Sequence, residues 1–145
     1  MYRYQTISKK IMGDLHTPVS LYLKVRDIYP ESALLESSDF HGNENSLSYI
    51  ALCPIASIGI NNNECTCSFP DGHQEVTPLS EGRGVAEAMN DFLGRFKVEG
   101  ANSQICGLFG YTAFDAVRYF ERIPVMEAHH AENDAPDMLY ILYRY

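Results

Sequence analysis

Short runs of alternating apolar and polar residues, bounded by glycine, proline and asparagine, fill most of the chain. That pattern predicts half-buried strands separated by turns. Tyr2–Met12 (YRYQTISKKIM) alternates loosely and reads as a first strand. Ser32–Phe40 (SALLESSDF) reads as a second, with Pro30 before it and the turn formers His41–Asn45 after it. Ser46–Ile60 is long and apolar but holds Pro54, which cannot donate to a ladder. An edge, a bulge or two short strands fits that run better than one central strand. Asn61-Asn62-Asn63 is a turn. Glu64–Phe69 and Gln74–Leu79 flank Pro70-Asp71-Gly72-His73 as the arms of a hairpin. Asp137–Tyr145 (DMLYILYRY) is a last, strongly apolar strand, and a longer natural chain is expected to continue past it.

Two stretches change period. Thr17-Pro18 pairs a capping residue with proline at the first helical position. It predicts a helix over Pro18–Tyr29, with Leu21, Val25 and Ile28 on the face packed against a sheet and Pro30 as the stop. Val85–Lys97 predicts a second, core-facing helix through Val85, Ala88, Met89, Phe92 and Phe96, with Gly100 past its end. Gly107, Phe109, Gly110 and Tyr111 lead into a third, short helix over Thr112–Phe120, where Asp115 and Arg118 stand three apart and can pair. Strands and helices do not alternate regularly. The expected class is α+β, one domain over residues 1–145, with a largely antiparallel sheet and two to three helices packed on it.

Composition narrows the function. Of the 145 residues 46% are hydrophobic and 21% charged, which excludes wholesale disorder. The net charge of −8 argues against nucleic acid, which is held through lysine and arginine on phosphates. No apolar run reaches the roughly 18–20 residues that cross a bilayer. The first residues, MYRYQTISKKIMGD, have no signal-peptide core, so a cytoplasmic protein with four reduced thiols is expected. Cys65 and Cys67 are expected on opposite faces of a strand, and no second cysteine pair follows to complete a metal site. The loop Ser80–Gly84 has two glycines but no phosphate-binding pattern. His129 and His130 sit among carboxylates in an acidic loop, Val125–Pro136.

The second strand carries the most pointed chemistry. In Leu34-Leu35-Glu36-Ser37-Ser38, a carboxylate and hydroxyls follow core leucines directly. Such groups need polar partners when buried. Either Glu36 lies on a solvated face and Ser37 bonds to backbone, or the strand builds a pocket for a zwitterion. In that pocket Glu36 would take an ammonium, Ser37 or nearby N–H groups a carboxylate, and the leucines an apolar side chain.

Three features stand in a telling order. They are Thr17-Pro18-Val19 with Tyr22, the strand Leu34-Leu35-Glu36-Ser37, and Gly107…Gly110-Tyr111…Phe114-Asp115…Arg118-Tyr119-Phe120-Glu121…Pro124. Together they resemble the N-terminal domain of the anthranilate synthase large subunit, component I, and the resemblance covers essentially the whole chain. The large subunit of aminodeoxychorismate synthase shares this domain. The resemblance implies a full enzyme that turns chorismate and ammonia into anthranilate and pyruvate in tryptophan synthesis. A glutamine amidotransferase subunit supplies the ammonia, and Mg²⁺ is used. The chemistry belongs to a C-terminal chorismate-binding domain outside this chain, so the chain alone is expected to be inactive and to hold no cofactor or catalytic residue. It also implies a tryptophan feedback site at Leu35, Glu36 and Ser37. Asn45 stands near the place where the family often has a basic residue, and Ser46-Leu47-Ser48-Tyr49 replaces the family's R-Y-S pattern. Tyr111, Phe114, Asp115, Arg118, Tyr119 and Phe120 are the expected interdomain face. Two other readings compete: the aminodeoxychorismate branch, and a stand-alone small-ligand or interaction module using the Tyr111–Phe120 face.

Overall fold

The computed structural model describes residues 1–36, 47–80, 84–121 and 135–145. Strands β1 (Tyr2–Thr6), β2 (Ala33–Glu36), β3 (Ser48–Ala51), β4 (Pro54–Asn61), β5 (Glu64–Ser68) and β6 (Gln74–Pro78) precede helix α2 (Val85–Leu93), and helix α1 (Pro18–Val25) lies between β1 and β2. Strands β7 (Phe96–Gly100), β8 (Leu108–Thr112) and β9 (Met138–Tyr143) follow. The class is α+β, as expected. Five of the described strands form an antiparallel sheet in the order β6-β5-β4-β9-β8.

Local chemistry explains the hairpins. Pro54 opens β4 and separates it from β3, so the long apolar run is two strands. Asn62 and Asn63 both take positive φ, 49° and 61°, and close the β4–β5 turn. Asparagine tolerates that conformation, and its twist matches the strands it joins. In the β5–β6 turn Gly72 has φ 82°, and Asp71 Oδ1 accepts from the His73 N–H at 3.0 Å. The Tyr2 hydroxyl donates to Asp71 Oδ2 at 2.8 Å and ties β1 to this turn.

The last strand of the chain sits inside the sheet, between β4 and β8. Met138, Tyr140 and Leu142 turn to the main core, with Ile58, Ile60, Cys65 and Phe92 fully buried there. Helix α2 lays Val85, Ala88 and Phe92 against that core, on the face its periodicity predicted. Cys65 and Cys67 share the same face, both buried, with sulfurs 3.8 Å apart. This corrects the expectation that they point apart, because side chains two residues apart on a strand line one face.

Three further expectations fail at element ends. α2 stops at Leu93 with Gly94 as its cap, so Phe96 and Lys97 belong to a strand. That strand, β7, pairs parallel with β1, and the Phe96 ring stacks on Tyr2 with centroids 5.4 Å apart. A partner strand and an aromatic contact outweigh one more helical turn. Gly107–Thr112 is not only a glycine turn: Leu108–Thr112 is β8, and the helix after it is a tighter 3₁₀ segment, Phe114–Tyr119. Helix α1 ends at Val25, and its inward stripe runs through Pro18, Tyr22 and Val25. Leu21 and Ile28, expected to pack inward, are 39% and 69% exposed. α1 buries no residue fully and packs chiefly on the β2–β3 hairpin among the described elements.

Candidate functional site

The hairpin β2–β3 stands over the outer face of β8 and β9, opposite the main core. Its register is Ala33 with Ala51, Leu34 with Ile50, Leu35 with Tyr49 and Glu36 with Ser48. The Tyr49 ring meets Phe109 of β8 with centroids 5.7 Å apart. Between hairpin and sheet lies a cavity of about 420 Å³. One wall is the stretch Glu31–Leu35. The other is Phe109–Tyr111 with Leu139, Ile141 and Tyr143. The alternation of β9 accounts for this: its even positions fill the core and its odd positions, Leu139, Ile141 and Tyr143, face the cavity. A strand covered on both faces reads as a continuous apolar run, as DMLYILYRY does.

Polar groups at the cavity are few. Ser32 Oγ is buried and has no hydrogen-bond partner among the described residues. The Ser32 carbonyl accepts from the Tyr22 hydroxyl at 3.3 Å, which ties α1 to the cavity wall. Burial holds the Tyr143 hydroxyl above its ordinary pKa, and the charge of Glu31 and the Tyr22 phenol add to that. The wall contains no lysine or arginine among the described residues.

The expected site residues divide. Leu35 lines the cavity. Glu36 is exposed at the far end of β2, opposite Ser48, and lies off the described wall. Ser37 and Asn45 lie outside the described residues, as do His129 and His130. Among the described residues no three histidine, cysteine, aspartate or glutamate side chains gather as metal ligands. Sequence reasoning missed Glu31, Ser32 and Tyr143. The signal for Tyr143 was present in the period-two pattern of the last strand.

The aromatic segment Tyr111–Phe120 also splits into two kinds of residue. Arg118 pairs with Asp137, Nη2 to Oδ2 at 2.5 Å, and not with Asp115 as its spacing suggested. The Tyr119 hydroxyl donates to the same Asp137 oxygen at 2.5 Å and accepts from the Asn63 N–H at 3.4 Å. Burial and the Asp137 hydrogen bond raise the Tyr119 pKa. Asp115 is exposed, where solvent would screen a pair, while the Asp137 side chain is only 14% exposed. Arg118 and Tyr119 are therefore engaged within the chain. Phe114 and Phe120 point outward, 91% and 57% exposed, and Tyr111 donates to the Pro136 carbonyl at 3.1 Å.

No protein-family model matches the chain. Anthranilate synthase component 1 of Thermus thermophilus is 28% identical over 141 residues, covering 97% of this chain and 29% of that protein. Anthranilate synthase component 1 of Mycolicibacterium smegmatis is 27% identical over 146 residues, covering 97% of this chain and 26% of that protein. The chain thus spans less than a third of the length of the curated relatives it matches.

Proposed function

We propose that this chain is the N-terminal structural and regulatory part of an anthranilate synthase component 1. The observation that carries the reading is similarity over 97% of the chain to two such proteins that extend well beyond it. In this reading the whole protein converts chorismate and ammonia to anthranilate and pyruvate. A glutamine amidotransferase subunit supplies the ammonia, and a chorismate-binding domain beyond these residues carries the reaction and its Mg²⁺. The part described here supports that domain and senses L-tryptophan.

The sensing element is the stretch Leu34-Leu35-Glu36-Ser37, which begins within β2. Leu35 gives the apolar wall, Glu36 takes the ammonium, and Ser37 with Asn45 takes the carboxylate. A cavity beside this strand, walled by leucines and aromatic rings, supports a ligand-binding role. The outward rings of Phe114 and Phe120 support a face covered by the neighbouring domain.

The test is an anthranilate assay on the natural full-length protein with its amidotransferase subunit. Anthranilate, and not aminodeoxychorismate, is the expected product, and the 145-residue chain alone should give none. Tryptophan should inhibit, and Glu36→Ala should raise the half-inhibiting concentration at least about ten-fold, the loss of one charge-assisted hydrogen bond. Unchanged half-inhibition removes Glu36 from the site. Turnover by the isolated chain removes the domain assignment.

A further inference from the structure

A second cavity, of about 440 Å³, lies where the end of β9 meets β1 and β7. Residues 4–8 line it consecutively. Side chains along a strand alternate between two faces, so a consecutive run borders a cavity through the strand's edge. β7 pairs along the other edge of β1, where the Tyr2 N–H donates to the Arg95 carbonyl at 2.7 Å. In this parallel ladder the even positions of β1 turn to β7, so the Gln5 N–H turns the other way, to the cavity side. Ile55, Val98 and Leu142 give apolar walls. The charge comes from Arg144, and no aspartate or glutamate among the described residues lines the cavity. Arg144 is placed by its backbone. Its N–H donates to the Cys53 carbonyl at 3.0 Å, and beside it Leu52 and Tyr145 exchange N–H to O bonds of 2.7 and 3.1 Å. The alternation of β9, carried one step past Tyr143, puts Arg144 on the face of Leu142. In a chain of net charge −8, its guanidinium makes no ion pair with a described residue.

We infer that this cavity binds a small organic monocarboxylate: the carboxylate sits on the Arg144 guanidinium, and the apolar body lies among Ile55, Val98 and Leu142. The volume is within the range of small-molecule pockets, which are mostly apolar with a few placed polar groups. A guanidinium fork matches one carboxylate through two parallel N–H···O bonds. The Gln5 N–H adds a neutral donor on the same side. One cation balances one negative charge, which favours a monoanion over a phosphate dianion. An ammonium would meet like charge at Arg144 and find no described carboxylate on the walls. The site is separate from the one proposed at β2. Leu139 faces the cavity under β2, whereas Leu142 and Arg144 stand on the opposite face of β9.

The experiment uses the natural full-length protein, titrated calorimetrically with 4-phenylbutyrate, 4-phenylbutyramide and 4-phenylbutylamine. The three share an apolar body and differ in the charge of the head group. The carboxylate is expected to bind at least about ten-fold more tightly than the amide, the worth of one charge-assisted contact, and the amine no better than the amide. Arg144→Gln should remove that ten-fold advantage and leave the amide unchanged. The substitution keeps the backbone N–H that Cys53 accepts, so the melting temperature should hold. A variant that melts lower would leave the comparison of acid with amide on the parent protein to decide. A thiol reports the location. Cys106 lines the cavity and is the exposed one of the four cysteines. Saturating 4-phenylbutyrate should slow its alkylation by iodoacetamide, read on the Cys106 peptide by mass, while the amide at the same concentration should slow it less. Three results overturn the inference: an amide that binds as tightly as the acid, a folded Arg144→Gln protein that binds the acid as the parent does, or Cys106 alkylation unslowed when the acid is bound. The last would place the bound acid elsewhere on the protein. Absence of binding by all three probes overturns it as well.

Discussion

Gly110 shows how much one residue decides. A β-carbon there would overlap the backbone carbonyl of Leu139 on the neighbouring strand. β9 is held on its other side by β4 and cannot yield, so β8, at the edge of the sheet, keeps this close approach only with glycine at this point. Gly110→Ala is expected to cost about 2 kcal/mol or more, in the range of overpacked sites, and denaturant unfolding of the variant would measure it. Asp71 is a surface counterpart. Hydrogen bonds from the Tyr2 hydroxyl and the His73 N–H hold its carboxyl below the ordinary value of 3.8. A depressed carboxyl contributes stability that is present above its unfolded pKa and lost as pH falls through the folded one. The tether between β1 and the β5–β6 turn should therefore loosen below about pH 4. Asp71→Asn should flatten that acid dependence in a melting series, and an unchanged slope would assign it to other carboxylates. Neither residue was legible as critical beforehand, since both depend on a neighbour distant in sequence. The same holds for Arg118: its partner, Asp137, lies 19 positions on and is more sheltered than the nearby Asp115.

Elements were legible where a start signal was local. Thr17 caps α1 as its sequence implies: its hydroxyl accepts from the Ser20 N–H at 3.1 Å, and Ser20 Oγ accepts from the Thr17 N–H at 3.0 Å. This reciprocal pair is a capping box with serine in the third position. Thr17→Ala should cost the helix about 1 kcal/mol. Because α1 buries no residue fully, that loss should appear as faster amide exchange over residues 18–25. Global unfolding should shift less. A drop in global stability of the full amount would instead place α1 inside the cooperative core. Ends were less legible than starts. The pattern of α2 continues through Phe96, but β1 offers that segment a parallel ladder from Tyr2–Phe96 to Thr6–Gly100. β8 was hidden for a related reason. Glycines that look like a turn are, beside a strand such as β9, the residues that permit close pairing.

At the scale of the molecule, the sequence indicated an antiparallel α+β fold but not that its final strand would sit in the interior. That placement makes two compartments, a core shared with α2 and a cavity shared with β2. Glu31 and Ser32 joined the second compartment through the packing of the hairpin, which no spacing rule along the chain specifies. The surface that remains is uneven. Phe114 and the capping residue Phe120 project from the 3₁₀ segment, Leu21 and Leu23 from α1, and Ile28 from the turn after α1. Single exposed apolar residues are ordinary, but aromatic rings held out by a segment whose Arg118 and Tyr119 are pinned to Asp137 form a fixed, dehydration-ready surface. If the chain is one part of a longer synthase, contact with the rest should protect that surface. Hydrogen exchange compared between the 145-residue chain and the natural full-length protein should show slower exchange over residues 114–120 in the latter. Residues 54–68, already paired within the sheet, should be unchanged. Equal exchange at 114–120 in both proteins would leave those rings facing solvent and move the interdomain contact elsewhere on the chain.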